Sequence, residues 1–241
     1  RPELSLVAST LGSRVASWSA ECEVELERTV GFVVGTAAWT LRMVVRHGEK
    51  LRPVLYTDAD RHSVRSQSGS FFCLESESGN SLIPLLWSSK RQGVVATSAA
   101  AAETIAAFQG LSLSLPLFDA MYSDSALVVK IDNSQVLSLV KNGVSDKLYF
   151  TCKSANVRAN ALAELQARDV VSFEHCRTNL QKADLYTKVL ERLKFQGGAR
   201  SIGLNLVESE RGSQWKVYNA FVAFRSTVIA DDMEMMFFLF D

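Results

Sequence analysis

The sequence predicts an α/β protein with a mixed five-stranded sheet and helices on both of its faces. The predicted elements follow the order β-β-β-α-β-α-α-β-α, in which short links join three strands and helices lead to the last two. Short links give antiparallel neighbours, whereas helical crossovers give parallel ones. A chain of 241 residues with 47% hydrophobic residues can bury one core of this kind.

The first half of the chain contains a helix and then the three antiparallel strands. Residues 19–40 have apolar side chains among charged neighbours, which indicates a helix, although Gly31 and Gly35 also allow a helix end and turn in its second half. Extended apolar segments follow, separated by polar links that contain glycine, as in an antiparallel meander. These segments are residues 54–57, 69–74 and 82–87.

The second half of the chain alternates helices and strands. An alanine-rich helix surrounds Glu103, with Thr97 or Ser98 as its N-cap, and its small side chains allow close approach to a sheet. The capping box formed by Thr178 and Gln181 predicts a last helix that continues to Leu193, before glycines 197 and 198 interrupt the chain. Between these two helices we predict a strand at 127–131, helices at 135–141 and 147–166, and a strand at 170–174.

Composition excludes several classes of protein. The formal net charge is zero, so binding to nucleic acid would depend on a local basic patch. The 4 cysteines are widely separated and form no CxxC pair, which indicates reduced thiols in an intracellular protein. No apolar run is long enough to span a bilayer, so no membrane partner is expected. Because the chain begins at Arg1 without a methionine, we expect it to be a fragment of a longer protein.

Carboxylates in separate predicted elements are the candidate catalytic and metal-binding residues. Asp58 and Asp132 end strand-like runs, whereas Glu103 and Asp184 lie on predicted helices. Each of them alone has an ordinary alternative role as a turn cap, an N-cap or a surface charge. Together they favour a metal site, because the helix around Glu103 is otherwise almost devoid of charge and hard oxygen ligands suit divalent cations.

Residues 20–195 resemble the end of a copia-type LTR retrotransposon polyprotein, covering the end of its reverse transcriptase region and its RNase H domain. LERTVGFVVGTAAWTL resembles the helix before RNase H, YTDAD resembles S-D-A-D, and SQSGSFFCL resembles R-S-T-S-G-Y. LLWSSKRQGVVATSAAAAETIA is similar to W-x-S-K-K-Q followed by S-x-A-E-A-E-Y-x-A. KIDNSQVL resembles C-D-N-x-S-A, and NLQKADLYTKVL resembles Q-x-A-D-x-x-T-K. These similarities occur in the same order as in the family.

The resemblance implies an RNase H-like fold and hydrolysis of the RNA strand of an RNA–DNA hybrid with two Mg²⁺ ions, for which Mn²⁺ would substitute. It places the catalytic and metal-binding carboxylates at Asp58, Glu103, Asp132 and Asp184. It also implies an upstream reverse transcriptase region of the same polyprotein as a partner. The implied location is the cytoplasm, in a retroelement particle with access to the nucleus.

The implied domains are a helical remnant of the reverse transcriptase at 1–50, an RNase H-like domain at 51–196 and a tail of unknown role at 197–241. The basic residues Lys90, Arg91, Lys147 and Lys153 are the candidates for contacting backbone phosphates, with a solvated surface as their alternative role. His175, after the last strand, is a candidate auxiliary in proton transfer or product release, or a half-buried structural histidine.

The chain departs from the family pattern at two places. The first glutamate of A-E-A-E is Ala101 here, while the second is retained as Glu103. The segment KLYFTCKSANVRANAL has fewer arginines and histidines than the corresponding family helix. A second interpretation therefore stays open, in which the chain is a catalytically silent relic or an adopted fragment that acts as a structural or interaction module.

Overall fold

The computed structural model describes residues 1–60, 65–122, 125–142 and 153–206. These residues belong to two compact units. One contains Arg1–Val15 together with Thr40–Asn205, and the other includes Ala16–Trp39. The predicted helix at 19–40 is confirmed in the second unit, where it runs from Ala20 to Gly35 and where Phe32 and Trp39 pack edge to face at 5.4 Å.

The larger unit is built around a five-stranded sheet. The strands of the described chain are β1 (Thr40–Leu41), β2 (Leu51–Asp60), β3 (Gln67–Ser76), β4 (Leu82–Arg91), β5 (Leu127–Ile131), β6 (Val171–His175) and β7 (Leu204–Asn205). The large sheet has the order β4-β3-β2-β5-β6. Strand β3 is antiparallel to β2 and β4, whereas β5 is parallel to β2 and β6. The predicted RNase H-like fold is therefore confirmed.

The meander strands are longer than the apolar segments that predict them. Each runs for 10 residues. The polar ends are included because their backbone groups pair across the sheet, with Asp60 opposite Gln67 and Leu51 opposite Ser76. Backbone pairing satisfies these groups whatever the side chain, so apolar character alone underestimates the strand length.

The helices are α1 (Ser5–Gly12), α2 (Ala20–Gly35), α3 (Ala99–Met121), α4 (Ser134–Asn142), α5 (Lys153–Ala167) and α6 (Arg192–Ser201). Ser98 is the N-cap of α3, because its side chain accepts a hydrogen bond from the Ala101 amide. The short helix predicted at 135–141 is confirmed as α4. The first residues of the helix predicted at 147–166 lie outside the described chain, which shows α5 from Lys153 onwards.

Helices cover both faces of the large sheet. A Cβ atom on Gly69 would meet the segment after β6, at Thr187 and Ala183, whereas a Cβ atom on Gly110 of α3 would lie 3.1 Å from the Cβ of Ser70. Because neighbouring residues of a strand point to opposite faces, α3 and the 183–187 segment lie on opposite sides of the sheet. On the face that α3 covers, the sheet and α3 form a buried core, to which the sheet contributes Leu55, Phe72, Leu127 and Val129.

Helix α3 lies unusually close to the sheet. Ala101, Ala102 and Ala107 are fully buried, and a Cβ atom on Gly110 would come within 2.9 Å of the Thr57 Cγ2 atom. This agrees with the close approach that the alanine-rich sequence predicts. No helix in the described part of the chain is long and apolar enough to cross a membrane.

The predicted last helix is wrong, and so is the predicted chain break after it. Residues 178–193 form two 3₁₀ turns, Thr178–Leu180 and Lys182–Tyr186, and helix α6 begins only at Arg192. Gln181 separates the turns because its side chain donates a hydrogen bond to the Thr57 carbonyl, at 3.0 Å, and accepts one from the Ala183 amide. Gly197 and Gly198 lie inside α6, where the buried Ala199 packs the helix against the unit.

Strands β1 and β7 form a separate two-stranded ribbon. Thr40 pairs with Asn205, and Leu41 pairs with Leu204. Gly203 permits the turn into β7, since it has a φ of +94° and a Cβ atom there would lie 2.8 Å from the Arg42 carbonyl oxygen. The residues at 40–50 and 197–205, which fall in the predicted remnant and tail, thus lie in the same compact unit as the sheet. The functional domain limits stay a prediction.

Candidate metal centre

Carboxylates meet at one edge of the large sheet. Asp58 is near the end of β2 and Asp132 directly follows β5. These strands are parallel, with Tyr56 opposite Lys130, so the two aspartates reach the same level. Asp184 approaches from the 3₁₀ turn on one face. The structure brings oxygens of Asp58, Asp132 and Asp184 within 4.8 Å of one another.

Glu103 lies beside this group without belonging to it. It is on α3, on the face opposite the Asp184 turn, and it is half-buried. The Asn133 side chain donates a hydrogen bond to its Oε1 atom at 3.0 Å, which links Glu103 to the residue after Asp132. The other oxygen, Oε2, is buried and accepts no hydrogen bond within the described chain. A buried, unpaired carboxylate oxygen is costly unless a proton or a cation satisfies it.

Asp58 is the most buried member of the group. Only 3% of it is exposed, because it is the third residue from the end of the central strand β2, which is covered on both faces. The Thr187 hydroxyl donates a hydrogen bond to Asp58 Oδ2. The Lys188 ammonium group lies 3.2 Å from the same oxygen. Asp58 is therefore held by a donor and a cation from the segment that also carries Asp184.

The Asp184 turn is fixed to the sheet by contacts of the surrounding backbone. The Ser89 hydroxyl donates to the Tyr186 carbonyl at 2.6 Å, and Gln181 donates to the Thr57 carbonyl at 3.0 Å. Gly69, opposite Asp58 in the register, leaves the space into which the turn packs. These contacts hold Asp184 against the strand that carries Asp58.

A buried ion network also holds the turn that carries Asp184. Glu75, whose side chain is 6% exposed, pairs with Lys130 at 2.7 Å and with Lys182 at 2.6 Å. The Tyr56 hydroxyl donates to the same carboxylate at 2.9 Å. Burial opposes ionisation of Glu75, but the two lysines outweigh it and lower its pKa. The network joins β2, β3, β5 and the turn, so Lys182 anchors the segment two residues before Asp184.

Burial and neighbouring negative charge raise the pKa values of Glu103 and of two carboxylates of the group. Burial raises the pKa of Glu103 to about 7, against the hydrogen bond from Asn133 and with the help of the charges on Asp132 and Asp58. Burial and then the charge of Asp58 raise the pKa of Asp132. Burial raises the pKa of Asp184 to about 6, although the hydrogen bond from Lys188 lowers it. Like charges and burial both disfavour ionisation, so the group requires a compensating cation.

Lys188 is that cation in this structure. Its ammonium group lies 2.9 Å from Asp184 Oδ1 as well as 3.2 Å from Asp58 Oδ2. Burial alone would lower the pKa of Lys188, but the two aspartates raise it. The position beside Asp58 and Asp184 therefore favours a positive charge. The donors are all hard oxygens, which are the ligands that Mg²⁺ and Mn²⁺ prefer, so Asp58, Asp132 and Asp184 fit a divalent metal site. Glu103 lies beside them with one unpaired carboxylate oxygen.

Sequence reasoning missed the residues that organise the group. Lys188, Thr187 and Gln181 all belong to the QKADLYTK segment, and Asn133 belongs to KIDN. Both segments carry the family resemblance, so the signal was present in motif positions to which no role was assigned. What the sequence could not show is that Thr187 and Lys188 turn towards Asp58, 129 residues away in the case of Thr187.

The predicted phosphate-binding residues have different positions. Lys90 and Arg91 are exposed at the end of β4, and Lys90 pairs with Ser68, next to the partner of Asp58. Lys90 also lines a cleft of about 360 Å³ with Arg158 of α5. Lys153 is exposed at the start of α5, and Lys147 lies outside the described residues. His175 is exposed at the end of β6, paired with Ile131, so its alternative role as a half-buried structural histidine is wrong. Their roles stay predictions.

Comparison with known proteins gives structural neighbours only. No family profile matches the chain, and no curated protein is similar to it in sequence. LC11-RNase H1, obtained from compost and solved with an RNA/DNA hybrid, is 19% identical with a TM-score of 0.43, covering 56% of this chain and 94% of its own. RNase H1 of Halobacterium salinarum is 17% identical with a TM-score of 0.41, again covering 56% of this chain and 94% of its own.

A viral protein is also among these neighbours. The prototype foamy virus protease-reverse transcriptase is 15% identical with a TM-score of 0.34, and the match covers 68% of this chain and 22% of the viral one. Similarity at this level carries no conclusion about activity. The functional argument therefore depends on the residues at the edge of the sheet.

Proposed function

We propose that the protein is a ribonuclease H that hydrolyses the RNA strand of RNA–DNA hybrids at a site for two divalent ions. The observation that carries the proposal is the group of carboxylate oxygens from Asp58, Asp132 and Asp184, within 4.8 Å of one another on two parallel strand ends and a fixed turn. The buried, unpaired Oε2 of Glu103 beside this group supports the same conclusion. We assign the metals as Mg²⁺, with Mn²⁺ as a substitute.

The protein residues would bind, orient and adjust charge. Asp58, Asp132 and Asp184 would hold the ions, and Glu103 would complete the acidic wall. Bound divalent ions supply the Lewis acid that activates water and stabilises the leaving 3′-oxygen. The bond from phosphorus to the 3′-oxygen would break as one from phosphorus to the water oxygen forms, and the proton that the water loses would be balanced by one gained at the 3′-oxygen. Burial raises the pKa of Glu103 to about 7, and a bound cation would favour its ionised form.

Substrate binding would use the basic residues near this edge. Lys90 and Arg91 are exposed on β4 at the level of the carboxylates, and Lys153 is exposed on α5. We propose that they contact backbone phosphates, together with Lys147. Such contacts weaken steeply as salt increases. The 2′-hydroxyl is the chemical feature by which a site of this kind distinguishes RNA from DNA.

The wider context is part of the proposal. On the motif resemblance, we propose that the chain is a segment of a copia-type polyprotein whose upstream reverse transcriptase region is its partner. We also propose that it acts in the cytoplasm within a retroelement particle that gains access to the nucleus. Joint expression with a candidate upstream region, followed by a test for a stable complex, would examine the partner.

A second candidate function is a silent interaction module. The observation that favours it is Lys188, whose ammonium group pairs with both Asp58 and Asp184. If that pairing is permanent, the acidic group is a structural ion network. The wild type would then show no metal-dependent cleavage.

Substitution of Asp132 by asparagine separates the two functions. Asp132→Asn keeps the shape but removes a charge that the metals need, so we expect cleavage of a labelled RNA–DNA hybrid in Mg²⁺ to fall at least about hundredfold. Hybrid binding in Ca²⁺ or chelator should change little. Asp119→Asn is the matched control, because Asp119 is exposed on α3 away from the group, and it should cleave like the wild type.

The opposite results identify the module. A wild type that does not cleave in Mg²⁺ or Mn²⁺, and an Asp132→Asn variant that melts at a higher temperature, would reject the enzyme. The higher melting temperature would follow from reduced repulsion between carboxylates.

A further inference from the structure

The ammonium group of Lys188 contacts two carboxylates of the acidic group. It is 2.9 Å from Asp184 Oδ1 and 3.2 Å from Asp58 Oδ2, so it bridges two members of the acidic group. The Thr187 hydroxyl donates to the same Asp58 oxygen. The segment after the 3₁₀ turn thus supplies Asp58 with both a hydrogen-bond donor and a cation.

A divalent ion and this ammonium group cannot share these oxygens. A magnesium ion lies about 2.0–2.1 Å from each oxygen that binds it. An ion on Asp58 Oδ2 and Asp184 Oδ1 would therefore come within roughly 3–4 Å of the ammonium nitrogen, with like charge at close range. One of the two cations has to leave.

Lys188 is able to leave. Its side chain is 34% exposed, compared with 2% for the side chain of Asp58 that it contacts. Its flexible four-carbon stem allows the ammonium group to reach water while the backbone of the turn stays in place. The contacts that fix the turn, from Gln181 and Ser89, do not involve Lys188.

We propose that Lys188 is a resident counter-cation that competes with divalent metal for Asp58 and Asp184 and moves out of the group when metal binds. This inference rests on the metal site of the proposed function and adds a coupling to it. In the absence of metal Lys188 keeps the carboxylates together. In its presence Lys188 is free to contact anionic ligands at the same edge.

The alternative is a purely structural role. Lys188 and Asp184 are also an i,i+4 pair, which would only stiffen the turn. The two roles predict opposite effects on metal affinity. Removal of a competitor strengthens metal binding, whereas loosening of the turn that carries Asp184 weakens it.

The test is Mn²⁺ binding to the full chain without substrate, measured by calorimetry at constant pH and ionic strength. Lys188→Met keeps the length of the side chain and removes its charge. We expect it to bind Mn²⁺ roughly ten- to hundredfold more tightly than the wild type, because charge-assisted bonds to Asp58 and Asp184 no longer have to be broken. Lys194→Met, an exposed site on α6, controls for the loss of one positive charge and should bind like the wild type.

A second measurement covers the case in which Lys188→Met does not fold. The wild type is labelled with ¹³C at the lysine ε-carbon, and the Lys188 resonance is identified from its absence in Lys188→Arg. Addition of Mg²⁺ should move that resonance towards the position of a solvent-exposed lysine. An unchanged resonance at saturating Mg²⁺ would overturn the inference.

The outcomes separate this inference from the proposed function. Equal or weaker Mn²⁺ binding by Lys188→Met would overturn the inference, even if the wild type cleaves hybrid. Tighter Mn²⁺ binding by Lys188→Met would support the inference, even if the wild type cleaves no hybrid. The missing cleavage would then count against the nuclease function alone. Absence of Mn²⁺ binding in both proteins would overturn the competition as well.

Discussion

Gly69 is the position where a single methyl group should do most damage to the candidate site. A Cβ atom there would lie 2.6 Å from Thr187 Cγ2, 2.8 Å from the Ala183 carbonyl oxygen and 2.9 Å from Tyr186 Cβ. These separations are all well below van der Waals contact, and the last two involve atoms that cannot rotate away. Gly69→Ala must therefore push the Asp184 turn off the sheet.

The magnitude follows from the size of the overlap. Overpacking by one methyl group in a close-packed interior costs typically 1–3 kcal/mol, and the backbone contacts place Gly69→Ala at the upper end. Alanine also lowers the conformational entropy of the unfolded chain, which offsets about 0.4–1 kcal/mol of this loss of stability. A net loss of about 2 kcal/mol lowers the melting temperature by roughly 4–8 °C for a chain of this length.

The assay is thermal unfolding followed by circular dichroism, with Mn²⁺ titration and hybrid cleavage on the same samples. Gly93→Ala is the matched control, because a Cβ atom on Gly93 meets nothing within 4 Å, and it should melt between the wild-type temperature and about 4 °C above it. Because the displaced turn carries Asp184, Gly69→Ala should also bind Mn²⁺ more weakly. A Gly69→Ala protein that melts and binds metal like the wild type would refute the reasoning.

Two further predictions concern charge. The pKa values of Glu103 and Asp184 are raised in the folded state to about 7 and about 6, so the folded protein binds protons more tightly than the unfolded chain does. Their contribution to stability is complete below about pH 4 and is lost as the pH rises to about 7. The free energy of unfolding by urea, measured without metal, should therefore fall over this pH range, and Glu103→Gln should make the fall smaller. An equal fall in Glu103→Gln would contradict the raised pKa of Glu103. Glu75→Gln should cost about 3–5 kcal/mol in the same assay, since it leaves Lys130 and Lys182 buried together. Glu174→Gln, which breaks a more exposed pair with Arg52, should cost about 0–1 kcal/mol, and equal losses in the two variants would show that the buried network is not special.

The sheet and most of the carboxylate positions could be predicted because their signals are local. Apolar runs ending in Asp58 and Asp132 identify two parallel strands, and alanines around Glu103 identify a helix that approaches them closely. The family resemblance then adds Asp184 to the same site. These features depend on residues near each other in sequence, which is why pattern and motif were enough.

The segment at 178–201 could not be predicted because tertiary contacts determine it. Helical spacing of apolar residues favours one helix, but the bond from Gln181 to the Thr57 carbonyl divides it into turns. Tight packing over Gly69 reinforces that division. The position of Lys188 depends in turn on this division, so the cation in the group was beyond the reach of the sequence alone.

The β1–β7 ribbon determines where neighbouring segments of polypeptide attach. Thr40 and Asn205 are paired partners, so the chain re-enters the larger unit and leaves it at one point. Val44 bridges to Leu82, which begins β4, whereas Lys90 and the carboxylate level lie at the far end of that strand. Ten residues of strand separate these ends by roughly 30 Å. Segments joined at Thr40 and Asn205 therefore attach to the larger unit at the end of β4 that is opposite to the level of the carboxylates.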